Sequence, residues 1–445
     1  MSGLCCLPIL ECVYCLACAR WVWKKLLYTA GQESEHWGLA TATEFESIPR
    51  ICRFIQAVYE DDLRNPIWAP PGGYGMNPDW VVLKKDYDET DGQVSPYMIY
   101  LDHERADIIL AVRGLHMAKE NDYLVLLDNK LGQKSFDGGY VHNGLLRAAE
   151  WVFAAEVETL RELVLKNPNY TLTLAGHSLG AGVVTLLTII AIKNQEKLGN
   201  IRRNQIRCFA YAPARSMSLN LAVRYADVIN SIVLQDDFLP RTTTASEVLL
   251  KSIFCLPCLL CVMCLKDTCT SEEKRLRDPR RLFAPGRLYH IIVRKPFRWG
   301  TIPPIVRTAV PVDGRFEHIA ISCNMLSDHS IILIERESQR AIDVMLENDR
   351  NMDIPPKQKM ERSSSIAKEH SEEHKEALRR AVALDIPQAY SPSAYGTFLG
   401  NEQTENFDSP PGETSSLFSK SRKSWSELAG RLFDTDEYGH SVLKP

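Results

Sequence analysis

The sequence predicts an α/β domain: a mostly parallel central sheet with helices on its faces. Three observations lead there. Apolar runs of strand length alternate with longer runs of helical periodicity from Asp79 to Glu347, the rhythm of strand–helix–strand units. One strand-like run, Tyr170 to Ala175, leads through Gly176-His177-Ser178-Leu179-Gly180 into a helix-like run, Ala181 to Lys197. Apolar residues make up 45% of the 445-residue chain, enough for a sizeable core and for one large domain with extensions.

Residues 1–33 form a Cys-rich opening with Cys5, Cys6, Cys12, Cys15 and Cys18, followed by Trp21, Trp23, Lys24 and Lys25. Pro8 and Glu11 interrupt the apolar run and Arg20 closes it, short of the roughly 20 apolar residues a spanning helix needs. No positive charge precedes Arg20, which argues against a secretory signal although Ala17-Cys18-Ala19 resembles a cleavage site. Ser2 rules out N-myristoylation. The expectation is a segment lying on a membrane surface and S-acylated; a buried N-terminal helix is the plainer alternative. Residues 34–78 are expected to form a helical N-terminal extension. Phe45, Ile48, Ile51, Cys52, Ile55, Val58 and Tyr59 recur there at three- and four-residue spacing, ahead of the loop Pro70-Pro71-Gly72-Gly73.

Residues 79–347 carry the main domain. Trp80 to Leu83, Tyr97 to Leu101 and Ile108 to Val112 read as strands, with a turn at Asp88-Glu89-Thr90-Asp91-Gly92. Leu145 to Lys166 reads as a long helix. Beyond Ser178, Gln205 to Tyr211 and Val228 to Leu234 read as buried strands around a helix at Leu219 to Tyr225. Leu288 to Val293 and Ala309 to Val312 are two further strand candidates. Residues 241–285 break the rhythm with Cys255, Cys258, Cys261, Cys264 and Cys269 and then a charged run, Ser271 to Arg281. In residues 348–445 Ser, Pro, Glu and Lys dominate. That tail is expected to be mostly disordered, with one solvated helix from Ile366 to Leu384.

The 13 cysteines gather mainly at the two clusters, and an odd count so placed is a poor disulfide framework. A reducing, intracellular setting on the cytoplasmic face of a membrane is the expectation. The formal net charge of −4 and the scattered basic residues exclude a general nucleic-acid binder.

A Gly-x-Ser-x-Gly pentapeptide between strand and helix predicts a nucleophilic serine. Ser178 must sit on a tight turn that lifts its hydroxyl above the sheet edge, and the flanking glycines remove Cβ atoms from that crowded crossing. A serine hydroxyl needs an adjacent base, and the base an orienting acid. Asp237 follows a strand end, on the sheet edge where ligand sites form, with Asp236 in reserve. Among the later histidines, His290 sits in a strand pattern and His318 in apolar surroundings, whereas His329 lies in a polar loop before an apolar run and is the candidate base. The backbone amide of Leu179 is the first oxyanion donor and that of Leu115, after Arg113-Gly114, the second.

Arg113-Gly114, Val141-His142-Asn143-Gly144, Gly176 to Gly180, Asp237-Phe238-Leu239-Pro240 and Leu326 to His329 follow in an order that resembles the class 3 lipases. Within that family the chain is similar to the sn-1-specific diacylglycerol lipases and their plant relatives, some of them calmodulin-binding. Ala284 to His290 is similar to a stretch of the same branch. The resemblance runs from about Asp79 to Glu337. It implies an α/β-hydrolase fold and a triad of Ser178, Asp237 and His329. The implied reaction is hydrolysis of a glycerolipid acyl ester, with sn-1 diacylglycerol ahead of phospholipase A1 or galactolipase action. It also places 241–285 where that branch has an insertion thought to gate access. The repeated Cys-x-x-Cys spacing there admits zinc or an iron–sulfur cluster, but its neighbours are apolar and offer nothing to orient thiolates, so an apolar lid without metal is expected.

One departure stands out. Leu115 replaces the Thr or Ser usual after the Arg-Gly pair, so a hydroxyl donor is gone. Losing such a donor costs on the order of 10²-fold in rate. That keeps in view a non-catalytic lipid- or calmodulin-binding protein on the same scaffold. No metal or organic cofactor is expected, with calcium entering only as a regulator. Lys420 to Phe433 carries basic residues around Trp425, Leu428 and Leu432, a pattern that suits calmodulin or an anionic membrane as well as a solvated segment.

Overall fold

Strands of the central sheet appear in chain order as β1 (Gly38–Leu39), β2 (Val81–Lys85), β3 (Tyr97–Asp102), β4 (Asp107–Val112), β5 (Thr171–His177), β6 (Ile206–Tyr211), β7 (Ile229–Leu234), β8 (Arg287–Ile292) and β9 (Ile305–Ala309). In space they run β1-β9-β8-β7-β6-β5-β4-β3-β2. The five strands β4 to β8 are parallel, and antiparallel pairs close both flanks. This is the α/β-hydrolase architecture. The computed structural model describes residues 33–116, 119, 122, 125–126, 128, 136–241, 281–295, 300–316, 322, 324–351, 356–384, 433–435 and 441–443.

Strand periodicity explains why both faces are covered. In β4, Ile108, Leu110 and Val112 join one apolar cluster while Ile109 and Ala111 join the other. A parallel sheet so buried needs helices on each side. On the first face lie α3 (Asn143–Lys166), α4 (Leu179–Lys193) and α5 (Leu219–Arg224); on the second lies α2 (Ser47–Ala57), after the short α1 (Ala42–Phe45). The helix α6 (Ile331–Asn351) packs with α2. α4 is buried along almost its whole length, which its Leu, Ile, Val and Ala content anticipates.

Three expectations need correction. Residues 34–78 are not a helical extension beside the domain. Only 42–45 and 47–57 are helical, β1 pairs with β9, and the Tyr211 hydroxyl donates to the Ile48 carbonyl, so the segment is part of the core. The helical spacing ends at Ala57 because the polar stretch Glu60 to Asn65 offers no further apolar face. The last strand lies at Ile305–Ala309 rather than Ala309 to Val312, since pairing with β8 aligns Ala309 with Leu288. The helix expected in the tail is longer, and although most of its surface is solvated, one side docks on the domain. α7 (Pro356–Ala383) buries Ala377 and Ala381 against the first face, and Glu373 pairs with Arg287 at 2.9 Å while His374 bonds the Val223 carbonyl at 2.7 Å. Its small apolar residues fall four apart, a stripe too narrow to stand out in so charged a sequence.

Residues 1–32, the Cys-rich run 242–280 and residues 385–432 lie outside the described residues, so the anchor, the lid and the Lys420–Phe433 helix are not placed, except that Phe433 opens a short strand, Phe433–Thr435. The two ends of 242–280 are brought together by Arg215, which is buried and donates to the carbonyls of Pro240, Arg241, Leu282 and Phe316. Among the described residues no helix is long and apolar enough to cross a membrane.

Candidate active site

Ser178 stands between the last residue of β5 and the first of α4, with φ 56° and ψ −116°. A non-glycine residue in that region costs about 1–3 kcal/mol, so the surroundings must hold it there. They do so on two sides. The Ser178 N–H donates to Tyr211 at 2.9 Å, and its carbonyl accepts from Gly182 at 3.2 Å. A Cβ on Gly176 would lie 2.5 Å from the Gly180 carbonyl carbon, and one on Gly180 would lie 2.6 Å from the Val112 oxygen. The strand and the helix therefore cross at a distance that only glycine permits at both places.

Asp237 comes from the turn after β7 and is fully buried. Its Oδ1 accepts from the Leu239 amide at 3.1 Å and from His329 Nδ1 at 2.9 Å, while Oδ2 has no partner among the described residues. His329 sits on a tight turn just before α6, closed by Asp328 N–H to Asn324 at 2.8 Å and Ser330 N–H to Ser327 at 2.9 Å. Its Nε2 is 2.8 Å from Ser178 Oγ. A carboxylate only accepts, so Nδ1 carries the ring proton, and Nε2 presents a lone pair to the serine hydroxyl. Three residues far apart in the chain thus form one continuous hydrogen-bonded series ending at Ser178. Asp236, the reserve acid, points elsewhere, to Arg294 at 3.4 Å. His290 is buried in β8 between Ser34 and the Gln235 carbonyl, a structural place, and His318 lies outside the described residues.

The two candidate oxyanion amides flank this serine. Leu179 opens α4, where an N–H has no intrahelical acceptor. Leu115 follows Gly114, and a Cβ on Gly114 would sit 3.2 Å from the Ser178 Cβ, so the β4 loop passes directly over Ser178. Its neighbours are pinned: Gly114 N–H donates to the Tyr59 hydroxyl at 2.9 Å and His116 N–H to Asp122 at 2.7 Å. The Leu115 side chain packs against the apolar cluster instead of offering a donor. Phe238 lies 4.9 Å from the His329 ring and lends the site an apolar wall.

Sequence reasoning missed the role of His177. Its Nε2–H donates to the His329 carbonyl at 2.8 Å and so ties the elbow to the loop of the base. The residue lay inside the pentapeptide, but nothing in sequence shows where its ring points. Burial pushes the His177 imidazole down to about 3, with the His329 charge acting the same way. Burial likewise lowers His142 to about 4 and His290 to about 3. All three are neutral in the fold, while the unfolded chain protonates them below about 6.5. The unfolded state therefore binds more protons between about pH 6.5 and 3, and stability should fall with pH through that window. Asp328, whose carboxyl is pushed up to about 6 by burial, works in the opposite sense between its ordinary value and 6 and offsets one proton. For these four groups taken together, a net loss of about two protons' worth of stability is expected, on the order of 3 kcal/mol per pH unit between about pH 6 and 4. Urea midpoints at pH 7.5, 6.0 and 5.0 measure it; an unchanged midpoint would refute it.

Among the described residues no group of three or more His, Cys, Asp or Glu side chains is arranged to hold a metal ion, and the Cys-x-x-Cys run lies outside them.

Comparison with known proteins bears on the same residues. The family described as "Lipase (class 3)" matches residues 109–247, which include most of β4, the elbow and Asp237, and the family described as "Lipase 3 N-terminal region" matches residues 9–76. Over these residues the chain is similar to the class 3 lipases. It is 28% identical over 160 residues to mouse diacylglycerol lipase-beta, a match covering 34% of this chain and 22% of the mouse protein. It is 30% identical over 110 residues to the secreted mono- and diacylglycerol lipase A of Penicillium cyclopium, covering 22% of this chain and 33% of that one. The chain thus spans between about a seventh and a third of the length of the curated relatives it matches. Among solved structures, a mutant form of MDLA from Penicillium cyclopium superimposes with TM-score 0.45 at 17% identity, covering 67% of this chain and 99% of that one.

Proposed function

We propose that this chain is a class 3 lipase, a serine carboxylic-ester hydrolase acting on a glycerolipid, with the sn-1 ester of diacylglycerol as its first substrate. The observation that carries the reading is the series Ser178 Oγ, His329 Nε2 and Nδ1, Asp237 Oδ1, at 2.8 and 2.9 Å, on a serine held at positive φ. His329 takes the hydroxyl proton as Ser178 Oγ attacks the ester carbonyl. Asp237 orients the ring and stabilises the imidazolium that forms. The amides of Leu179 and Leu115 hold the oxyanion. His329 then returns the proton to the leaving alcohol, and water, activated by the same ring, releases the acyl group. Two acyl transfers of this kind need no metal or organic cofactor. The choice of glycerolipid is supported by the relatives named diacylglycerol lipase. A membrane-surface role for the Cys-rich residues 1–33 on the cytoplasmic face, and calmodulin binding by Lys420–Phe433, belong to the same proposal. Hydrolysis of detergent-dispersed diacylglycerol, phospholipid and galactolipid by the purified chain, with product regiochemistry, tests it. Release of fatty acid from the sn-1 position of diacylglycerol supports the reading, and no release from any of the three overturns it.

The position of Leu115 gives a second expected result. Leu115→Thr restores a hydroxyl beside the amide without removing the amide, so kcat/KM should rise by about tenfold or more. An unchanged or lower value would mean that the backbone donors alone complete the hole.

A further inference from the structure

We propose that Asp328 and Arg294 are positioning residues that latch the loop bearing His329 onto the loop bearing Asp237. The proposal rests on the serine-ester reading of the site. Asp328 immediately precedes the candidate base, and Asp236 immediately precedes the candidate acid. These two neighbours are bonded to each other. The Asp236 N–H donates to Asp328 Oδ2 at 3.0 Å, and the Arg294 guanidinium donates to that same oxygen and, at 3.4 Å, to Asp236 Oδ2.

Arg294 itself is anchored. It follows the end of β8, and its backbone N–H, together with that of Val293, donates to Gln235 Oε1 at 2.9 and 2.8 Å. Gln235 holds the turn after β7 with φ 35°, and its carbonyl accepts from His290 Nε2 at 3.0 Å and Arg241 Nη2 at 3.0 Å. Three separate stretches of chain, the ends of β7 and β8 and the turn before α6, therefore meet at one carboxylate. Asp328 is 1% exposed and Asp236 is 4% exposed, whereas the Arg294 side chain is 23% exposed. A buried carboxylate with this many donors is held in one place, because losing any of them leaves charge without compensation.

The consequence is geometric. The acid and base loops are 92 residues apart in sequence, and their only catalytically relevant product is one His329–Asp237 bond. A displacement near 1 Å at such a bond costs on the order of 10²-fold in rate. Asp328 touches no reacting atom in this arrangement. It acts through the backbone of Asp236 and through its own neighbour, His329. Arg294 and the Asp236 carboxylate are the charged groups facing it, with the His329 ring next along its own turn.

The test uses the full chain and a water-soluble short-chain p-nitrophenyl ester at pH 8, where Asp328 is ionised. Asp328→Asn and Arg294→Gln should each lower kcat by about 10- to 100-fold with KM within about twofold. Arg294→Lys, which keeps the charge, should recover part of the loss. The double variant should fall no further than the worse single one, because both remove the same link. A second readout needs no turnover: the far-downfield proton resonance of His329 Nδ1–H, identified by its loss in Asp237→Asn, should weaken in Asp328→Asn and Arg294→Gln. Should Asp328→Asn fail to fold, the two Arg294 variants, at a partly exposed position, carry the comparison. Single variants with wild-type kcat and an intact resonance would overturn the latch, as would fully multiplicative losses in the double variant. If wild type hydrolyses no ester and equals Ser178→Ala, the serine-ester reading falls, and the resonance still decides whether the latch exists.

Discussion

Ser178→Ala is expected to lower kcat for ester hydrolysis by roughly 10⁴- to 10⁶-fold while the protein stays folded. Alanine keeps the Cβ and the backbone at φ 56°, so the elbow and the packing of Gly114 against it are preserved. What is lost is the hydroxyl proposed as the nucleophile. His329→Ala should cost about as much, because the hydroxyl, 2.8 Å from Nε2, then has no base. Removing both should cost no more than removing one, since the groups act as a unit. Asp237→Asn is informative in a different way. The shape is retained, but an amide presenting N–H toward Nδ1 favours the wrong tautomer, and a loss near 10⁴-fold is expected. Steady-state rates on one soluble and one dispersed ester, with circular dichroism to show intact folding, measure all four. Activity in Ser178→Ala within tenfold of wild type would place the chemistry somewhere else.

Gly180→Ala should damage stability and activity together. A Cβ there would lie 2.6 Å from the Val112 oxygen and against the Arg113 carbonyl, both backbone atoms at the end of β4 that cannot step aside without moving the strand. Overpacking of this kind costs about 1–3 kcal/mol or more. For a domain of this size that is a fall in Tm of roughly 5 °C or beyond. The same displacement separates the Leu179 and Leu115 amides, so kcat should fall by at least about 10²-fold. Gly182→Ala, two residues on, is the control. There the Cβ would meet only the ends of the Leu145 side chain, at 2.7 Å, which can rotate. The gain in helix propensity, about 1 kcal/mol, offsets much of the crowding. Differential scanning calorimetry of both variants decides; equal Tm values would refute the distinction.

Legibility in the sequence followed the range of the forces involved. The strands β4 to β8 were visible because apolar burial repeats along a few residues, and each was read within about two residues of its place. Ser178 was visible because strand, turn and helix are consecutive. Choosing Asp237 over Asp236 and His329 over His290 needed only chain order and loop context, and the observed hydrogen bonds join the chosen residues. The docking of α7 was not visible, because two alanines and scattered charges make its contact face. Nor was the place of 34–78 in the core, where β1 contributes only two residues to the sheet.

Local pattern was enough to specify the class of sheet, the crossing at the elbow and the chemical types of the three residues. Glycines at 176 and 180 and the order serine, acid, histidine carry that information without reference to distant contacts. The distances of 2.8 and 2.9 Å, the tie from His177 to the His329 carbonyl, and the meeting of Asp236, Asp328 and Arg294 at one oxygen came only with the folded chain. Such contacts join residues tens to hundreds of positions apart. Their energy depends on burial and on angles set by the whole sheet, and neither has a signature along the chain.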